Sequence, residues 1–124
     1  MGIALIFLGS LLALIWGVAH LFPTKSVVRG FGSISQDNKN IVLMEWIVEG
    51  IALIFVGILI ATVTIIDPMS TTSTATYIIS AGFLLLMAVV SFFTGFRIKF
   101  TPFRLCPVVF LASAGLITTG WMTI

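Results

Sequence analysis

Four side chains in this sequence have the chemistry to bind or transfer something, and all four sit in strongly apolar surroundings: His20, Glu45, Glu49 and Cys106. Glu45 and Glu49 are four residues apart, a spacing that puts both carboxylates on one face of a helix. By helical rise, Glu49 lies about 12 Å inside the start of its apolar stretch. A carboxylate at that depth in a bilayer costs several kcal/mol unless paired or hydrated, so both glutamates are expected to face a helix-bundle interior. His20 falls at a depth comparable to Glu45 on the preceding, antiparallel segment. A His20–Glu45–Glu49 cluster is therefore expected. It could hold a small polar ligand, relay a proton or bind a metal. Alternatively His20, Arg29 or another basic group neutralises the glutamates and only stabilises the bundle. Three scattered ligands without a standard metal motif leave the metal, and any cofactor, unassigned.

The remaining chemistry-bearing residues carry weaker signals. Cys106 is the only cysteine, so no disulfide can form within the chain, and a lone thiol at an apolar helix start is expected to be a packed small residue. Lys25, Arg29, Arg97, Lys99 and Arg104 are expected to contact anions or lipid headgroups from the connections between apolar segments. The stretch 23–40 is long for a helix–helix connection. Val27, Val28, Phe31 and Ile34 give it an apolar face, and an interfacial linker is expected in preference to a lid over the glutamates. Gly30-Phe31-Gly32 lacks the Lys-Ser/Thr ending of a phosphate loop. Trp46 and Trp121 are expected as interface anchors, and Trp16 as packing.

The elements that carry these residues follow from composition. The 124 residues are 60% hydrophobic and only 8% charged, with a mean hydropathy of +1.27. A soluble domain normally has about a quarter of its residues charged, and a disordered chain is poor in large apolar residues. A formal charge of +2 is too thin for a nucleic-acid binder. An all-α integral membrane four-helix bundle is expected. Its four spans cover about residues 2–22, 41–66, 75–96 and 105–124, each close to the roughly 20 residues a bilayer crossing requires. Pro23 and Asp67-Pro68 close the first two, residues 35–40 offer N-caps for the second, and Ser70 to Thr74 cap the third. Thr101-Pro102 can start the fourth, with Pro107 as an early kink. The first segment lacks a basic leader and a small-x-small cleavage site, so it is read as a mature helix.

All six Lys and Arg residues fall in the first and third connections. The positive-inside rule then puts those connections in the cytoplasm, both termini outside, and the candidate cluster on the cytoplasmic side. Small residues at Ala13/Gly17 and Ser91/Gly95, and the glycines Gly50 and Gly57 seven apart, are expected to permit close helix contact.

The string Ala19-His20-Leu21-Phe22-Pro23-Thr24-Lys25-Ser26-Val27-Val28-Arg29-Gly30-Phe31-Gly32, followed by Met44-Glu45-Trp46 and Glu49-Gly50, resembles small uncharacterised bacterial four-span proteins. The wider layout resembles the DoxX-like group, in which a first helix leads through a basic loop into a second helix that begins with a glutamate and continues through glycines. The likeness extends over the whole chain in layout, with its sharper motifs in the first half. It implies a four-helix fold in the bacterial inner membrane and association with membrane redox systems as a partner subunit. Three functions stand as expectations. The first is a small membrane protein whose cytoplasmic-side pocket binds a small ligand, ion or proton, with a role in transport. The second is a non-catalytic accessory subunit of a larger membrane complex. The third is a membrane enzyme acting on a lipophilic substrate, with His20 or a glutamate as acid–base group. The expected partners are the lipid bilayer and either a second copy or a larger complex, with no nucleic acid.

Overall fold

The computed structural model describes residues 1–95, 97–99 and 101–124. It contains five helices and, among the described residues, no strand: α1 (Gly2–Leu21), α2 (Thr24–Gly30), α3 (Gln36–Ile66), α4 (Thr71–Gly95) and α5 (Thr101–Met122). The four long helices form an all-α bundle. α1 packs against both α3 and α5, and α4 packs against α5, whereas α3 and α4 touch only sparsely. Both chain termini and the α3–α4 turn lie at one end, here the termini end. The two connections that carry Lys and Arg lie at the other, the basic end.

The helix limits differ from the hydropathy limits wherever a polar residue caps or extends a helix. α3 starts at Gln36 rather than near residue 41, because Ser35 takes an extended conformation and its hydroxyl accepts from the Asn38 amide at 3.2 Å. The polar run behind it then joins the helix, with the Gln36 side-chain amide donating to Asn40. α4 starts at Thr71 rather than near 75, because the Ser70 hydroxyl accepts from the Ser73 amide. Its expected end at Phe96 lies outside the described residues. α5 starts at Thr101, ahead of its apolar limit near 105 and where Thr101-Pro102 is expected to start it, with Pro102 in its first turn and Pro107 inside. α1 ends at Leu21 rather than 22. The stretch 23–40 is not an irregular linker: Thr24–Gly30 is helical and buries Val28 against α3.

Four helices are long and apolar enough to cross a membrane, and their length and composition suggest a multi-pass membrane protein. At 31 residues α3 is about 46 Å long, well beyond a hydrocarbon core of about 30 Å. The distribution of side chains fits the same reading. Phe55, Ile65, Ile79, Leu86 and Phe93 point outward, while Ser10, Ala13, Ala81, Ala88, Ser113 and Ala114 are buried between helices. Where the surroundings are as apolar as the side chains, helices associate through close packing of small residues instead of burial of large ones.

α1 approaches α3 closely enough that only glycine fits at the contact. A Cβ on Gly17 would sit 2.8 Å from both the Gly50 carbonyl oxygen and the Ile54 amide nitrogen, and one on Gly57 would meet the Ser10 carbonyl oxygen at 2.7 Å. On the other side of α1, the Ser113 hydroxyl of α5 donates to the Gly9 carbonyl at 2.7 Å. These contacts place α1 at the centre of the bundle.

Candidate functional site

The Gly17–Gly50 contact decides what meets at the basic end. Glu49 precedes Gly50, and His20 lies three residues beyond Gly17, so bringing those two backbones together also brings the imidazole and the carboxylate together. His20 Nε2 lies 3.5 Å from Glu49 Oε2, with side-chain exposures of 5% and 33%. That separation is beyond a good hydrogen bond, and Nε2 has no hydrogen-bond partner despite its burial. Almost all buried polar atoms in proteins have a partner, so this one marks the position as unusual.

Trp46 fixes the orientation of the histidine. Its indole stacks on the His20 ring with centroids 3.9 Å apart and planes 19° apart. Its Nε1–H donates to the His20 carbonyl at 2.8 Å, satisfying one of the carbonyls left over at the end of α1. Phe103 of α5 meets the other edge of Trp46 at 5.3 Å in a tilted arrangement. Cys106, one turn after Phe103, is buried with its thiol directed to the Pro102 carbonyl at 3.5 Å. The Trp16 indole nitrogen, one turn before His20, is a polar neighbour of that sulfur and makes no hydrogen bond of good geometry.

His20, Trp46, Phe103 and Cys106 form the floor of a cleft of about 610 Å³ between α3 and α4. It exists because α4 leaves α3 after their shared turn and the helices stay apart toward the basic end. Ala52 and Glu49 line one wall, Phe83, Met87 and Ser91 the other, and Val27 of α2 and Phe31 just after it stand at its mouth. α2 thus covers the basic end of the cleft as well as packing on α3. A smaller cavity of about 270 Å³ adjoins it behind His20 and Cys106.

The expected three-residue cluster is resolved into a pair. His20 and Glu49 are adjacent, whereas Glu45 is exposed and lines the cleft one turn nearer its mouth, because α3 and α4 have already separated there. No Lys or Arg is paired with either glutamate among the described residues, and none lines the cleft, so neutralisation by Arg29 does not occur. Lys25, Arg29 and Lys39 instead share a surface recess of about 300 Å³ between α2 and the first turns of α3. Arg97 and Lys99 are exposed on the α4–α5 connection, and Arg104 Nε donates to the Ile98 carbonyl and holds that connection. Among the described residues no three His, Cys, Asp or Glu side chains are placed to hold a metal ion.

Trp46 and Phe103 were not legible as site residues from composition. Spacing carried a signal all the same: Trp46 and Glu49 are three apart on α3, Trp16 and His20 four apart on α1, and Phe103 and Cys106 three apart on α5. Each pair therefore shares one helix face. An imidazole and a carboxylate at this distance can exchange a proton through a ligand or hold a polar group between them. Comparison with known proteins yields no match to any family model, curated protein or solved structure.

Proposed function

We propose that this chain is a multi-pass protein of the bacterial cytoplasmic membrane that binds a small ligand, or a proton carried by one, in the α3/α4 cleft. One observation carries the reading: a nine-tenths-buried histidine has an unpartnered ring nitrogen beside Glu49, at the floor of a cleft large enough for a small molecule. A pairing that served stability alone would close the hydrogen bond and fill the space around it. The cleft lies at the end that carries every Lys and Arg, and the positive-inside rule puts that end in the cytoplasm and both termini outside. Cysteines introduced between Ser70 and Thr74 then react with a membrane-impermeant reagent added outside, and one at Ser35 does not. Labelling at Ser35 alone would reverse the orientation.

Binding is tested on one purified variant. Glu49→Gln preserves shape and removes the charge. The expected result is a folded protein, with a melting temperature close to that of the parent, that has lost the small molecule carried through purification of the parent, as read by mass spectrometry. A folded Glu49→Gln protein with full occupancy would take the carboxylate charge out of the function.

A further inference from the structure

We propose that the α3/α4 cleft selects a lipophilic monocation: an amine or quaternary ammonium on a compact apolar body. This rests on the reading of the cleft as a binding site and names its ligand class. Charge comes first. Two carboxylates, Glu45 and Glu49, line the cleft one helical turn apart, and among the described residues no Lys or Arg lines it. Like charges that close destabilise one another, and a cation between them relieves the repulsion. An anionic ligand would add to it, and a neutral one would leave it unchanged.

The second observation comes from another helix, α1. His20 is buried to 5% side-chain exposure and lines the same cleft, and its Nε2, 3.5 Å from Glu49 Oε2, has no hydrogen-bond partner. As a neutral imidazole protonated on Nδ1, it presents the Nε2 lone pair next to the Glu49 oxygens, so a cation meets electron-rich atoms from two side chains on one side, and a protonated amine can also donate an N–H to them. The walls supply the rest of the complementarity. Phe31, Trp46 and Phe83 contribute aromatic surface, and an aromatic face attracts a desolvated cation by up to about 2 kcal/mol. The apolar wall of Ala52, Met87 and Val90 matches a hydrocarbon body. Access follows from the fold. α2 covers the basic end, whereas α3 and α4 are sparsely joined along their sides, so the ligand reaches Glu49 from the apolar phase.

The test uses three probes of similar shape on the full-length protein in detergent: tetraphenylphosphonium, neutral triphenylphosphine oxide and anionic tetraphenylborate. Binding is followed by equilibrium dialysis and tryptophan fluorescence. The expected result is saturable binding of the cation at least tenfold tighter than either other probe. Affinity falls at least tenfold in Glu49→Gln and about threefold in Glu45→Gln. Met87→Trp, which fills the cleft from α4 and leaves both carboxylates in place, abolishes binding and decides the matter if Glu49→Gln does not fold. Equal affinity for the neutral probe, lost in Met87→Trp, would overturn the cation selectivity while leaving the cleft a binding site. Displacement of the cation by phosphatidylethanolamine at equal affinity would overturn the free monocation in favour of a lipid headgroup. No binding of any probe, together with no small molecule carried through purification, would overturn both readings.

Discussion

The two ends of the α3/α4 pair solve the same problem differently. At the termini end a short turn forces the helices together, and among the described residues the buried polar side chains there find protein partners. The Asp67 side chain accepts from the Met69 amide at 3.0 Å, and the Ser73 hydroxyl donates to the Asp67 carbonyl at 2.5 Å. Thr64 and Tyr77, both buried, share a hydrogen bond of 2.9 Å across the seam. At the basic end no connection joins these two helices. There a cleft replaces the seam, and His20 Nε2 and Trp16 Nε1 are buried without a hydrogen bond of good geometry. A membrane bundle with no need for an open end would satisfy those nitrogens as it satisfies Ser73. The contrast is the reason the proposed site is placed at the end where satisfaction fails.

Several substitutions can break or sharpen that contrast. The largest effect is expected where packing is tightest. Gly57→Leu drives a side chain into the Ser10 backbone carbonyl, which cannot move aside without displacing α1, and should cost about 3 kcal/mol. Gly82, whose Cβ position is empty of neighbours within 4 Å, should accept Ala with unchanged or slightly higher stability. Thermal unfolding in detergent compares the two; equal tolerance would show that α1 and α3 are not held by that contact.

Trp46→Ala should have an intermediate effect. It removes the stack on His20, the edge contact with Phe103 and the hydrogen bond to the His20 carbonyl, together about 2 kcal/mol. Its signature is local: hydrogen exchange should rise at the end of α1 and the start of α5 while the Thr64–Tyr77 region keeps its protection. A uniform rise along the bundle would mean that the two ends are not separable.

The smallest effect is expected at the closed end. Tyr77→Phe removes one hydroxyl from the seam, yet the Thr64 hydroxyl keeps the Ile60 carbonyl as its acceptor at 2.7 Å. A hydrogen bond between membrane helices averages about 0.6 kcal/mol, and that is the loss expected. Spin labels at Val42 and Thr94 should report a broader α3–α4 distance distribution than labels at Ile65 and Thr76. Equal widths would remove the distinction between an open and a closed end.

Much of the fold was legible without coordinates. Runs of about 20 apolar residues define spans because the bilayer sets their length, and the approach of His20 to one of the two glutamates followed from its depth, comparable to that of Glu45, on an antiparallel neighbour. The errors share one cause. Hydropathy marks where a helix meets lipid, whereas a helix continues for as long as its backbone is capped. Ser35 therefore extends α3 through Gln36–Asn40, and Ser70 sets α4 four residues ahead of its apolar run. Likewise the short helix α2 was invisible as a span because seven residues are too few to cross.

Composition, spacing and charge thus determined an all-α bundle of four long apolar helices, the gathering of the Lys and Arg residues at one end, and the candidate role of His20 and Glu49. Tertiary structure alone decided which glycine met which backbone. Gly17 and Gly50 were each visible as small residues at helical spacing, but only packing made them partners, and that contact sets the distance from His20 to Glu49. It also turned Glu45 outward, stacked Trp46 on the imidazole and left α3 apart from α4. Periodicity along one helix specifies which residues share a face. Which face meets which neighbour depends on the close approach of two backbones, a property that neither helix carries alone.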